Sequence, residues 1–182
     1  VTDDRRRYLN ARAALRALLY HRVIPIVNEN DAVTTREFRY GDNDRLAAKT
    51  AGLVDADVLI ILSDVDGLYT ANPLEDPEAE HISFVPYGEA GQYFEAASAE
   101  GSSVGTGGMR AKLAAARIAI DWGVTTIIAS GRRQHPIRDL ITGEARCTIF
   151  EAGPKLPARK RWLCGVHERA GGVEIDEGEL NA

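Results

Sequence analysis

The stretch GTGGMRAKLAAARIAIDWGVTTIIA, residues 105–129, holds the clearest structural signal in the chain. It opens on glycines and a threonine, which suit a turn better than a regular element. From Met109 to Trp122 the sequence predicts a strong helix. Gly123 then stands where a left-handed C-terminal cap belongs. Val124-Thr125-Thr126-Ile127-Ile128-Ala129 follows as an almost continuous apolar and β-branched run, which suits a strand covered on both faces. Turn, helix, cap and buried strand in immediate succession are the repeating grammar of α/β proteins.

The same grammar extends upstream. Val58-Leu59-Ile60-Ile61-Leu62 is a second buried strand. A helix over about 45–54 precedes it, with Leu46, Ala47, Ala51 and Leu53 turned inward and Asp44 placed to cap it. Residues 3–20 predict an amphipathic helix on Tyr8, Ala11, Leu15, Leu18 and Leu19. Val23-Ile24-Pro25-Ile26-Val27 predicts a further short strand, although Pro25 counts against a central position. Residues 32–40 suit a small hairpin, and 70–80 a Pro- and acid-rich loop before a helix near 89–98. Cys147-Thr148-Ile149-Phe150 predicts a short edge strand. The expected architecture is α/β, a three-layer αβα sandwich with a mainly parallel sheet.

Character changes near residue 151. Residues 151–161 carry two prolines and a basic run, as a linker would. Residues 162–182 then suggest short β pieces around Gly171-Gly172, too few to bury a core of their own. The expected division is a domain over 1–150, a linker over 151–161 and the start of a second domain over 162–182.

Composition narrows the function classes. The 182 residues carry 22 basic and 27 acidic side chains, a net charge of −5, which gives no reason to expect nucleic-acid binding. No apolar run reaches the roughly 18 residues needed to cross a bilayer, and no signal-peptide core is visible, so the cytoplasm is the default expectation. Cys147 and Cys164 are not in CxxC spacing, and the four histidines are scattered singly, so no metal site is expected.

Ligands of open α/β sheets gather outside the carboxyl ends of the strands. Three polar segments can meet there. Asn28-Glu29-Asn30-Asp31 follows the run 23–27; a solvated turn and a crevice-facing cluster are equal alternatives for it. Gly41-Asp42-Asn43-Asp44 opens the helix 45–54, where an Asp is commonly only a cap. Together the two segments offer acceptors for an ammonium and donors for a carboxylate, as an amino acid requires. The third segment, Gly105 to Lys112, joins glycines to a helix N-terminus, a setting that favours phosphate, although such a turn is often only a flexible connector. It is not a Walker A loop, because GxxxxGK[ST] does not fit the spacing. Ser63-Asp64-Val65-Asp66-Gly67 fails as a calcium loop: Leu68 and Tyr69 stand where a ligand and a glycine are needed, and a strand stands where a helix should. A nucleotide-contacting loop is more economical, with a plain solvated turn as the alternative.

These segments together resemble the glutamate 5-kinases of the amino acid kinase family. The match rests on Arg7 to Ala11, Pro25 to Val33, Gly41 to Asp44, Ser63 to Thr70, and Gly105 to Met109 with Lys112. The DGLYT and GTGGM pieces are shared across the wider family, whereas NENDAV is more particular to the glutamate enzymes. The resemblance implies the amino acid kinase fold, incomplete here, because the family's first strand, with its lysine and Gly-rich turn, has no counterpart. Residues Arg159 to Trp162 resemble the start of a PUA domain, so 162–182 would be a stub of one.

The implied activity is ATP-dependent phosphorylation of the γ-carboxylate of L-glutamate, the first step of proline biosynthesis. Asp31, Asn43 and Asn28 would bind the substrate. Ser63 and Asp64 would contact ATP, and Thr106, Gly107, Gly108, Met109, Arg110, Ala111 and Lys112 would wrap its phosphates. Lys112 would stabilise the transferring phosphoryl group, and Asp44 would hold the catalytic lysines in position. Mg2+ would be held mainly by the nucleotide phosphates. Proline is the implied feedback inhibitor and a homo-oligomer the implied assembly. The isolated 182 residues are expected to lack turnover. Two alternatives stand beside this: another family member of the acetylglutamate kinase or aspartokinase type, or a non-catalytic module that binds a nucleotide or an amino acid.

Overall fold

The computed structural model describes residues 2–28, 43–98 and 107–155. The expected hairpin over 32–40, Asp31, Thr106 and the proposed second domain lie outside the described residues.

The strong helix and strand of residues 105–129 form as expected. α4 spans Gly107–Asp121 and β5 spans Thr125–Ser130. Gly123 joins them with φ +80°, and its N–H reaches the Ile120 carbonyl at 3.0 Å, the left-handed cap that only glycine adopts without strain. One boundary moves: Gly107 and Gly108, expected in the loop, already belong to the first turn of α4. α1 spans Thr2–Tyr20, α2 Asn43–Leu53, and β1 Val58–Ser63. Asp44 therefore sits inside the first turn of α2 rather than at its cap.

β1 and β5 pair in parallel, from Val58 opposite Thr125 to Ser63 opposite Ser130. The sheet continues in the order β1-β5-β6-β4, with β6 at Cys147–Phe150 and β4 at Phe84–Val85. β4 and β6 are parallel, while β5 and β6 are antiparallel. The expectation of an edge strand at 147–150 is thus corrected: β6 lies inside the sheet, with Thr148 and Phe150 fully buried. A separate antiparallel pair joins β2, Leu68–Tyr69, to β3, His81–Ile82. α3, Ala90–Ser98, preceded by a 3-10 turn at Tyr87–Glu89, and α5, Pro136–Ile141, are the remaining elements among the described residues.

The core lies between one face of the sheet and α2, α3 and α4. Leu59, Ile61, Ile128 and Phe150 of the sheet meet Ala48, Ala51, Phe94, Leu113, Ala116 and Ile120 of the helices. Small residues dominate the α2 and α4 faces, so the two helices approach closely. Gly52 of α2 lies directly against the indole of Trp122, where a Cβ would collide with the ring.

The run 23–27 does not form a strand. Its residues have no ladder partner among the described residues, and Ile24 and Ile26 are 85% and 94% exposed. Pro25 removes one backbone donor from the run. α1 is likewise half-covered, with Leu9, Leu18, Leu19 and Tyr20 exposed. Arg12 ties it to the end of α2 through Asp55 at 2.6 Å.

Candidate active site

The carboxyl ends of β1 and β5 lie side by side, because the two strands run parallel and in register. The Gly131 N–H closes this end by donating to the Ser63 carbonyl at 2.7 Å. Ser63 is the last residue of β1 and is buried. Its hydroxyl donates to Asp64 Oδ1 at 3.1 Å and accepts from the Val65 N–H at 3.4 Å. The hydroxyl therefore orients the first carboxylate beyond the strand.

That carboxylate is held below the usual range. The hydrogen bond from Ser63 is the largest cause, with a backbone hydrogen bond next, and the positive charges of Arg132 and Lys112 add to it. Lys112 belongs to the second turn of α4, so the glycine-led helix and the end of β1 face one electrostatic region. Lys112 Nζ is 3.1 Å from Asp44 Oδ2, and both side chains are largely covered, at 16% and 24% exposure. Burial of this order makes such a pair firmer than a solvent-exposed one. It also fixes the lysine stem, so the ammonium is oriented before any ligand arrives. The close packing of α2 on α4 through small residues brings the two N-terminal turns to the same end.

Of the residues expected at the site, Asn43, Asp44, Ser63, Asp64 and Lys112 are described at this end, and Gly107 to Ala111 form the first turns of α4 beside them. Asn43 begins α2 and so shares its N-terminal turn with Asp44. Asn28 is half-buried after the exposed run 23–27. Asp31 and Thr106 lie outside the described residues. Arg132 was not anticipated. It stands two residues beyond β5 and contributes to the ionised state of Asp64. Its signal was legible in principle: Gly131-Arg132-Arg133 directly follows a buried parallel strand, a place where ligands gather.

Residues 2–130 match the model of the amino acid kinase family. The chain belongs to the amino acid kinase family. Relatives within it include a glutamate 5-kinase of Rhodopseudomonas palustris (strain TIE-1), 49% identical over 185 residues, covering 100% of this chain and 48% of the relative. A glutamate 5-kinase of Bradyrhizobium sp. (strain BTAi1 / ATCC BAA-1182) is 49% identical over 183 residues, with the same coverage. The chain thus spans about half the length of the curated relatives it matches. Among solved structures, carbamate kinase from Giardia lamblia bound to AMP-PNP aligns with a TM-score of 0.45 and 21% identity, over 62% of this chain and 32% of that one. Like the family it belongs to, the chain is an α/β protein with a mainly parallel sheet, and among its described residues no helix is long and apolar enough to cross a membrane.

Proposed function

We propose that this chain supplies nucleotide- and substrate-binding parts of a glutamate 5-kinase, which transfers the γ-phosphoryl group of ATP to the γ-carboxylate of L-glutamate. The observation that carries the chemistry is Lys112, seated on Asp44 with the Asp64 carboxylate within its field. The substrate is inferred from relatives about half identical over the whole chain that bear the name glutamate 5-kinase.

A carboxylate is already ionised at neutral pH, so the reaction needs no strong general base. One oxygen of the γ-carboxylate bonds to the γ-phosphorus as the bond to the bridging oxygen of ADP breaks. The products are γ-glutamyl phosphate and ADP. Charge spreads over the phosphoryl oxygens in a loose transition state, and catalysis is alignment plus neutralisation. Lys112 supplies a fixed positive charge, and Asp44 keeps its ammonium from swinging away. The N-terminal turn of α4 adds unpaired N–H groups facing the phosphates. Asn43 and, beyond the described residues, Asp31 are proposed for the amino acid, with Asn28 near them.

Mg2+ bound to ATP would neutralise phosphate charge and remain held mainly by the phosphates, as this ion prefers one or two carboxylates beside substrate oxygens. Asp64, ionised and solvent-facing, has the donor chemistry to meet such a complex, whereas Asp44 is engaged by Lys112. A place at the first step of proline biosynthesis, feedback by proline, self-assembly and a cytoplasmic setting accompany this proposal.

The test is product formation by the full-length gene product. ATP and L-glutamate are supplied with hydroxylamine, which traps an acyl phosphate as the hydroxamate. Glutamyl hydroxamate is expected, with little product from aspartate or acetylglutamate. A preference for either of those acids, with glutamate inert, would overturn the assignment.

A further inference from the structure

We propose that Thr148, assisted by Arg146, is a positioning residue for ATP: it clamps the loop between β1 and β2 in the shape that presents Asp64 to the nucleotide. This rests on the nucleotide-binding role proposed above for Ser63 and Asp64.

Thr148 lies in β6, inside the sheet, and is fully buried. Its hydroxyl donates to the Ile82 carbonyl of β3 at 2.6 Å. The same oxygen accepts the Leu68 N–H of β2 at 2.7 Å. One side chain therefore ties the two-stranded pair β2–β3 to the main sheet. Leu68 is itself fully buried, so its N–H has no alternative partner in water without movement of the loop. Gly67 completes the fit. A Cβ there would lie 2.6 Å from Thr148 Oγ1 and 2.5 Å from His81 Nε2, so the backbone passes where only glycine fits.

A second tie acts nearer the loop's middle. Tyr69 donates its phenol proton to Asp66 Oδ1 at 2.8 Å. Arg146 Nη1 donates to the Tyr69 oxygen at 3.3 Å, and its Nε lies 3.9 Å from Asp66 Oδ2. Arg146 is well exposed, so its hold is weaker than that of Thr148. Neither residue reaches the Asp44–Lys112 pair through any of these bonds. Their influence on the site runs through the Asp64–Gly67 segment, so nucleotide affinity should change more than the phosphoryl-transfer step.

Thr148→Val keeps the shape and removes both hydrogen bonds. The buried Leu68 N–H is then orphaned, and the loop gains by opening toward water. In the full-length gene product the KM for ATP should rise on the order of tenfold, while kcat and the KM for glutamate move less. Thr148→Ser retains the hydroxyl and should restore the ATP value. Arg146→Gln should give a smaller rise. Hydrogen exchange at the amides of residues 65–68 should accelerate in Thr148→Val even without nucleotide.

An active wild type whose Thr148→Val variant keeps its KM for ATP overturns the inference while leaving the proposed function intact. A wild type that neither binds nor consumes ATP overturns the proposed function and the nucleotide role of Thr148 with it. Unchanged exchange at residues 65–68 removes the clamp as well. If Thr148→Val fails to fold, an unchanged KM for ATP in Arg146→Gln overturns the inference in its place.

Discussion

Lys112 and Asp44 are 68 residues apart in the chain and 3.1 Å apart in space. Removing the lysine ammonium takes away a charge oriented before substrate binds. Lys112→Ala in the full-length gene product is expected to lower kcat by about 10²–10³, with the fold kept. Steady-state turnover beside thermal melting separates the two effects. Undiminished turnover would take Lys112 out of the chemistry.

Asp139 provides a pH test remote from that pair. Arg133 Nε sits 2.7 Å from its carboxylate, and Arg138 adds a weaker contact at 3.5 Å. The Arg133 hydrogen bond is the main cause that holds its pKa below the usual range, against the opposing effect of burial. A carboxyl with a lowered folded pKa stabilises the fold above its unfolded value of about 3.9 and loses that contribution as pH falls through the folded value. The melting-temperature gap between wild type and Asp139→Asn should be steady near neutrality and close below about pH 4. Calorimetry across that range checks it, and a gap undiminished at low pH would contradict it.

At the scale of elements, the site depends on how closely α2 approaches α4. Gly52 faces the Trp122 ring with no room for a methyl group. Gly52→Ala would raise helix propensity yet force the helix ends apart. The overpacking cost, about 1–3 kcal/mol, exceeds the propensity gain of roughly 1 kcal/mol. Denaturant unfolding should show net destabilisation. In the surviving fold the Lys112–Asp44 contact should loosen, because the two helices carry its two halves.

The elements also show where sequence reading stops. α1, α2, α4, β1 and β5 are legible because each is long enough to display its own period or apolar run. β2, β3 and β4 have two residues each, too few to show an alternation. They exist because Thr148 and the neighbouring strands hold them. The short helix α5 was likewise not anticipated, since its six residues make fewer than two turns, too few to show a period. The run 23–27 is the converse: its composition suits a strand, but a strand needs a neighbour, and none stands beside it among the described residues.

Across the whole molecule, apolar surface is unevenly covered. Leu18, Leu19, Tyr20, Val23, Ile24, Ile26 and Val27 form a run of exposed apolar side chains at the end of α1 and beyond. Exposed apolar side chains this close together in the chain favour association. The 182-residue chain is expected to self-associate through this run in a concentration-dependent way, and Ile24→Ser with Ile26→Ser to reduce that association in sedimentation while leaving the melting temperature nearly unchanged. An unaltered association would locate the sticky surface elsewhere.

Amino acid order alone was enough for the fold class, the principal helices and strands, and the family resemblance. Those properties are local: they depend on periodicity, on glycine's backbone freedom and on side-chain chemistry within a few positions. Packing was needed to seat Lys112 on Asp44, to bring Arg132 toward Asp64, to bury β6 within the sheet and to tie β2 and β3 to it through Thr148. Such pairings depend on which faces meet once the apolar surfaces collapse, and no short window of sequence contains both partners.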